Sequence, residues 1–146
     1  MKEFSLIDIV IPEEISKVFI YASRYYKKFP KNGKYSLDHI EELISKHGFA
    51  SCQYARLVLG HRFHKGEVSI SNCPASSYTY SKSIFGERWP PGEMSLMQSP
   101  FYACQYAIHV IKNRWQEAET VISSDESSRE IYMLFLNDNG ISTEGL

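Results

Sequence analysis

The pattern of hydrophobic and polar positions repeats every 26 residues along the C-terminal two thirds of the chain. Three consecutive segments align without a gap: FASCQYARLVLGHRFHKGEVSISNCP (49–74), ASSYTYSKSIFGERWPPGEMSLMQSP (75–100) and FYACQYAIHVIKNRWQEAETVISSDE (101–126). The first and third segments are identical at 10 of 26 positions. A period of this length indicates a tandem-repeat architecture.

Four columns of the alignment hold nearly constant residue types. They are Tyr54, Tyr80, Tyr106 and Tyr132; Arg62, Arg88 and Arg114; Phe63, Trp89 and Trp115; and Glu67, Glu93 and Glu119. Arginine and glutamate recur five residues apart, across a predicted turn. One hypothesis makes the arginines and aromatics a ladder that stacks nucleic-acid bases. The favoured interpretation is an ion pair within or between repeats, with the aromatic residue packed beneath it.

Each repeat predicts two short helices. Tyr80, Ile84 and Phe85 lie on one face of the first helix, which Gly86 ends as a C-terminal glycine. Gly60 has the same place one repeat earlier, and Lys112-Asn113 stand there in the third repeat, where asparagine is the residue suited to the left-handed conformation.

The second helix of each repeat is brief. In the middle repeat it follows Pro90-Pro91, and Met94, Leu96 and Met97 are its predicted apolar content. Prolines 74 and 100 mark two repeat boundaries, and Asp125-Glu126 is the third, with acids at the predicted start of the next helix.

Helices this short are marginal in isolation and persist by stacking on neighbouring repeats. The sequence therefore predicts a single all-α domain over residues 1–146, an α-solenoid-like array of about four helical hairpins. Residues 1–48 form a degenerate N-terminal unit, 49–74, 75–100 and 101–126 are the repeats, and 127–146 is a C-terminal cap. The cap keeps a helix over 127–136, with Tyr132 and Phe135 in core columns.

The N-terminal unit is predicted from weaker signals. Residues 13–29 indicate one helix, 30–36 a loop, and Ser36 the cap of a second helix that ends at Gly48. The first eleven residues are interpreted as a possible extended segment covering the first hairpin.

The composition and net charge of the chain are those expected of a soluble globular protein. Hydrophobic residues make up 43%, charged residues 23% and aromatics 14%, and the net charge is −1, ordinary values for a soluble globular protein apart from the high aromatic content. No apolar run approaches the roughly 18 residues of a membrane span, and the N-terminus does not resemble a signal peptide. We therefore expect an intracellular, cytoplasmic protein. The three cysteines show no metal-ligand spacing, and Cys52 and Cys104 share a column typical of small buried residues.

The repeat motif resembles tandem repeats of uncharacterised proteins from tailed bacteriophages and some large DNA viruses. The unit there tends toward YAxxVxxGRWPEGE, and here it stands as YARLVLGHRFHKGE (54–67), YSKSIFGERWPPGE (80–93) and YAIHVIKNRWQEAE (106–119). The resemblance covers roughly residues 49–136, with Ser81 in the small-residue column and Phe63 for tryptophan as departures. It implies an intracellular, viral context and no catalytic residues.

A second motif is basic and aromatic, RYYKKFPKNGKY at 24–35, with no acid in it. Its candidate binding residues are Arg24, Tyr25, Tyr26, Lys27, Lys28, Lys31, Lys34 and Tyr35. Residues 17–67 carry ten basic and four acidic residues, whereas residues 116–146 carry one basic and seven acidic residues. Such charged ends are typical of solvated surface, but a basic end can also bind nucleic acid or an acidic protein.

No catalytic or cofactor motif is present in the sequence. Its five histidines and three cysteines lack HxxxH, CxxC and HExxH spacing, and there is no glycine-rich phosphate loop. We therefore predict a non-catalytic protein-protein interaction module without cofactor or metal, a phage-encoded factor that modulates a host or viral protein. The alternative is a nucleic-acid-binding protein that uses residues 24–35. Positions that vary between repeats are where partner specificity is expected: Arg56, His64, Lys82, Pro90, His109 and Gln116.

Overall fold

The computed structural model describes residues 36–146. Every regular element among these residues is helical, which confirms the predicted all-α class. The described residues belong to two compact parts, one ending at Ser69 and the other spanning Ile70–Leu146. The predicted helix at 13–29, the extended segment at 1–11 and the basic motif at 24–35 lie outside the described residues.

The N-terminal part contains one short helix followed by most of the first hairpin. Its elements are α1 (Leu37–Ser45), α2 (Gly48–Tyr54) with a π-helical turn at Ala55–Leu59, a 3₁₀ turn at His64–Gly66, and the start of α3 (Glu67–Ser71). Ser36 caps α1 as predicted, since its hydroxyl accepts a hydrogen bond from the backbone N–H of His39 at 3.3 Å. The prediction that α1 ends at Gly48 was wrong. His47 adopts an extended backbone conformation, so Gly48 begins the next helix instead.

The C-terminal part contains two complete hairpins and a final long helix. Its elements are α4 (Pro74–Tyr80) with a π-helical turn at Ser81–Phe85, α5 (Pro90–Leu96), α6 (Pro100–Tyr106) with a π-helical turn at Ala107–Ile111, a 3₁₀ turn at Gln116–Ala118, α7 (Glu119–Ile122) and α8 (Glu126–Asp138). The first helices begin at residues 48, 74, 100 and 126, which confirms the 26-residue period.

Pro90 and Pro91 occupy the first turn of α5, as predicted. Pro74 and Pro100, which were predicted to end the preceding repeats, occupy the first turn of α4 and α6, where the missing N–H would have no intrahelical partner. At the third boundary Asp125 acts as a true N-cap, because its carboxylate accepts a hydrogen bond from Ser128 N at 2.8 Å.

The first helix of each hairpin ends with a hydrogen bond that spans five residues. The N–H of Gly86 donates to the carbonyl of Ser81 at 2.8 Å, and Gly86 has a left-handed φ of 71°. In the third hairpin the left-handed residue is Lys112, with φ 56°, rather than Asn113. Residue 112 takes this conformation because its N–H donates the helix-ending hydrogen bond to the carbonyl of Ala107, as Gly86 N–H does to Ser81 in the second hairpin. Asn113 instead accepts a hydrogen bond from the N–H of Arg114 through its side chain.

Lys112→Gly is expected to raise the free energy of unfolding by about 0.5 kcal/mol. Relief of the left-handed strain on a residue with a Cβ exceeds, by a small margin, the entropy that glycine adds to the unfolded chain. The reciprocal change, Gly86→Lys, is expected to destabilise. Urea midpoints of both variants measure the effect, and a destabilised Lys112→Gly protein would contradict it.

Packing within a hairpin depends on one small-residue contact. A Cβ added to Gly92 would lie 2.8 Å from Ser77 Cβ and 2.7 Å from the ring of Trp89. The Ser77 hydroxyl donates to Ile70 O and lies 3.0 Å from the Ser95 hydroxyl. Gly66, Ser51 and Ser69 repeat this arrangement in the N-terminal part. The corresponding residues of the third hairpin are Ala118, Ala103 and Val121, so the glycine and both serines change together.

The second helices bury a single apolar residue each. Leu96 and Ile122 are fully buried, whereas Met94 is 71% exposed. A helix of seven residues turns less than two full rotations against its neighbour, and Met94 falls on the outer face. The core of the C-terminal part comprises Leu96, Ala103, Cys104, Tyr106, Ala107, Val110, Trp115, Ala118, Ile122, Tyr132 and Leu136.

Candidate functional site

Tyr106 and Tyr132 each connect the helix that carries them to the preceding hairpin of the C-terminal part. The ring of Tyr106 packs against Trp115 of its own hairpin, with centroids 5.1 Å apart. Its hydroxyl accepts a hydrogen bond from Trp89 N at 2.7 Å and donates one to Glu93 Oε1 at 3.0 Å. Tyr132 makes the same pair of bonds to Trp115 N and Glu119. We call this arrangement the inter-hairpin bridge.

The repeated arginines complete the inter-hairpin bridge. Arg88 donates from Nε and Nη2 to the two carboxylate oxygens of Glu93, both at 2.9 Å. Arg114 with Glu119 and Arg62 with Glu67 form the same bidentate pair. The predicted ion pair is therefore confirmed and lies within each hairpin. Trp89, Trp115 and Phe63 are at most 3% exposed, so these aromatic faces are not free to stack on bases.

Burial fixes the protonation of the bridging tyrosines. It raises the pKa of Tyr106 to about 12 and also raises the pKa of Tyr132, because a phenolate loses its hydration inside the protein. The hydrogen bond to Glu93 raises the pKa of Arg88. Tyrosine, glutamate and arginine therefore keep complementary roles as donor, acceptor and cation at neutral pH, and the bridge is structural.

Arg114 has an additional structural role at the C-terminus. Its side chain is 16% exposed, compared with 46% for Arg88. Its guanidinium donates to the backbone carbonyls of Ser142 and Glu144 at 3.0 and 2.9 Å. Residues 142–144 are thereby attached to the third hairpin, and Ile141 packs against the core in the column that holds Phe63, Trp89 and Trp115 in the repeats.

An aromatic and basic cluster lies on the surface of the C-terminal part. We define this aromatic patch as Tyr78, Lys82, Phe101, Tyr102 and His109. Lys82 Nζ lies 3.2 Å from the Tyr78 hydroxyl and 5.5 Å from the centre of its ring. The ring of Tyr78 lies 6.2 Å from that of Tyr102 and 6.5 Å from that of His109.

The aromatic patch combines exposure with preorganisation. Phe101 is 55% exposed and packs edge-on against Tyr102, with centroids 5.1 Å apart. Tyr78 and Tyr102 are half-buried against the core, so their rings are held in place. Partial desolvation, and to a smaller extent the charge of Lys82, lowers the pKa of His109. Because the lowered pKa favours the neutral imidazole, the charge of the patch comes from Lys82 on a mainly aromatic surface.

The six positions expected to carry specificity are all exposed. They are Arg56, His64, Lys82, Pro90, His109 and Gln116. Sequence reasoning identified two members of the aromatic patch, Lys82 and His109, but missed Tyr78, Phe101 and Tyr102. The available signal was that Tyr78 and Tyr102 are bulky aromatics in columns that hold small residues in the other two repeats. The candidate residues of the basic motif lie outside the described residues.

The three cysteines differ in burial, and none of them forms a disulfide. Cys52 and Cys104 are buried, as predicted, and Cys73 is half-buried at the start of α4. Burial raises the pKa of the Cys104 thiol to about 11, and its Sγ lies 3.4 Å from Ser128 O. Within residues 36–146 no group of three or more His, Cys, Asp or Glu side chains is placed to hold a metal ion.

We expect a thiol reagent to label Cys73 well before Cys104 in the folded protein. The reactive species is the thiolate, which is scarce at neutral pH for a thiol whose pKa is raised to about 11. Mass-spectrometric mapping after brief alkylation checks this, and denaturant should equalise the rates. Early modification of Cys104 would show that α6 and α8 separate readily.

Comparisons of the chain with known proteins found no match. No family model, curated protein or solved structure matches the chain. Among the described residues, no helix has the length and apolar character needed to span a bilayer.

Proposed function

We propose that this protein is a non-catalytic interaction module that binds another protein through the aromatic patch. The observation that supports this most is the clustering of Tyr78, Lys82, Tyr102 and His109 on the surface, at positions whose chemistry differs between repeats. Tyrosine and tryptophan anchors with a cationic neighbour are typical of interface hot spots. The constant residues of the repeat are occupied in the inter-hairpin bridge.

The mechanism is occupancy of a partner's site by a preorganised surface. Tyr78 and Tyr102 are already packed against the core, so binding orders few side chains and loses little conformational entropy. The resemblance of the repeat motif to proteins of tailed bacteriophages and large DNA viruses supports a phage-encoded factor acting on a host or viral protein in the cytoplasm.

An affinity pull-down from bacterial lysate, with and without nuclease, tests this function. We compare the wild-type protein with a Lys82→Glu/Phe101→Ser variant and with Met94→Ser, which removes an exposed apolar side chain outside the patch. The proposal expects one dominant protein that survives nuclease, is lost with the patch variant and is retained with Met94→Ser. A protein that the patch variant still captures fully would contradict it.

A third variant evaluates the nucleic-acid alternative. Lysines 27, 28, 31 and 34 are replaced by glutamate, which reverses the charge of the basic motif. Binding to a protein through the aromatic patch should tolerate this change. Recovery that depends on nucleic acid, falls steeply with salt and disappears in this variant would favour the alternative instead.

A further inference from the structure

The aromatic patch contains two adjacent side chains whose hydrogen-bond donors are only partly used. Lys82 Nζ donates to the Tyr78 hydroxyl oxygen at 3.2 Å, so two of its three ammonium protons and the hydroxyl proton of Tyr78 have no acceptor among residues 36–146. Within the same residues Lys82 forms no ion pair, whereas Arg88 and Arg114 are each paired with a glutamate. A cation beside a hydroxyl donor favours a ligand with an anionic oxygen.

The rings beside these donors favour an apolar group close to that anion. Tyr78, Tyr102 and Phe101 form a series of rings whose successive centroids lie 6.2 and 5.1 Å apart. An extended segment of about three or four residues covers this length. Phe101 is 55% exposed, so its end of the series has room for a large apolar side chain.

The charge of Lys82 argues against a cationic ligand. Its Nζ lies 5.5 Å from the centre of the Tyr78 ring, so this ring already has a cation–π partner within the protein. A lysine or a methylated amine brought to the same rings would be repelled by the ammonium group of Lys82. The patch is therefore unsuited to the cations that aromatic clusters often bind.

The charge of the surrounding part of the chain limits the ligand to few negative charges. Ile70–Leu146 contains five basic and nine acidic residues, and two of the five basic residues, Arg88 and Arg114, are paired with glutamates. A nucleic acid gains its affinity from many phosphate contacts, for which this acidic part of the chain offers few cations. A single carboxylate requires only Lys82 and the hydroxyl of Tyr78.

The size of the patch indicates a short segment rather than a broad folded surface. It comprises five residues, whereas a standard protein-protein interface engages roughly 20–30 residues on each side. We propose that the patch binds a short peptide segment that carries one carboxylate within about four residues of a large apolar side chain. The carboxylate accepts hydrogen bonds from Lys82 and Tyr78, and the apolar side chain packs on Phe101 and Tyr102. This inference rests on the proposed function, because it names the chemistry of the partner at the same patch.

Selection from a library of random linear peptides on the immobilised full chain tests the chemistry of the ligand. We expect the enriched peptides to share a single acidic residue close to an aromatic or large aliphatic residue, and to lose binding to Lys82→Met. Lys46→Met removes the same charge outside the patch and is the matched control, with circular dichroism showing that both variants fold. Enriched peptides that are basic, polyacidic or without an acid would overturn the proposal. Absence of patch-dependent peptides, or Lys82-dependent binding of an oligo-dT probe, would do the same.

A double-mutant cycle gives the decisive measurement. An enriched peptide, and the same peptide with its acid replaced by the matching amide, are titrated against the wild type and Lys82→Met by fluorescence polarisation. Each single change is expected to weaken binding about tenfold, and both together little more than either alone, because they remove the same contact. Tyr78→Phe keeps the ring and removes one donor, so it should weaken binding about threefold. Independent effects of the lysine and the acid would overturn the proposal.

The pull-down separates failure of this inference from failure of the proposed function. Capture of a nuclease-resistant protein through the patch, together with patch-dependent peptides that lack an acid, would overturn the ligand chemistry and leave the proposed function standing. Acidic peptides that depend on Lys82, without any patch-dependent protein in the lysate, would support the ligand chemistry and contradict the proposed function.

Discussion

Tyr106→Phe is expected to lower the free energy of unfolding by about 2 kcal/mol, although it removes a single oxygen atom. That oxygen accepts the hydrogen bond of Trp89 N and donates to Glu93. The site is fully buried, so water cannot replace the hydroxyl, and Trp89 N would lose its acceptor. Urea unfolding followed by circular dichroism measures the change.

Tyr102→Phe is the matched control for Tyr106→Phe. Tyr102 is half-buried, and its hydroxyl makes no hydrogen bond among the described residues, so the same chemical change should cost less than about 0.5 kcal/mol. Equal effects in the two variants would mean that the inter-hairpin bridge contributes little and that ring packing dominates the contact between hairpins.

Gly92→Ala is expected to destabilise the protein by roughly 1–3 kcal/mol, because a methyl group is forced into a closely packed contact. Its Cβ would lie 2.7 Å from Trp89 Cε3 and 2.8 Å from both Cβ and Oγ of Ser77, so the backbone or the tryptophan must move. Thermal and urea unfolding measure the loss.

The third hairpin provides the matched rescue for Gly92→Ala. Its residues at the corresponding positions are Ala103, Ala118 and Val121. Ser77→Ala/Gly92→Ala/Ser95→Val installs this set in the second hairpin and removes both hydroxyls together, so neither serine is left without its partner. We expect the triple variant to be more stable than Gly92→Ala, a non-additive result typical of residues in contact. Additive destabilisation would show that the three positions are independent.

Local signals predicted several helix boundaries. Gly60 and Gly86 end first helices, Pro90 and Pro91 begin α5, and Asp125 caps α8, each through backbone effects that act over a few residues. The prediction failed where two local preferences competed. Asparagine has the better intrinsic preference for the left-handed conformation, but the register of the five-residue hydrogen bond assigned it to Lys112.

The candidate sites were only partly predictable. The Arg–Glu pair followed from its constant five-residue spacing, and the structure confirmed it. The tyrosine was recognised as a repeated core residue, but its hydrogen bonds to the preceding hairpin were missed. The constant separation of 13 residues between Glu93 and Tyr106, and between Glu119 and Tyr132, was the available signal. The aromatic patch was largely missed, because its members come from two different hairpins and share no spacing.

The sequence alone therefore determined the period, the all-α class, the hairpin plan and the residues that start and end most helices. These properties depend on backbone preferences and on apolar positions within one or two turns, which a linear pattern records directly. Only the tertiary structure decided that Tyr106 bridges two hairpins, that Gly92 packs on Ser77, that Met94 faces solvent and that Tyr78 meets Tyr102 and His109. Those contacts join residues distant along the chain, and they exist only after each hairpin has folded and stacked on its neighbour.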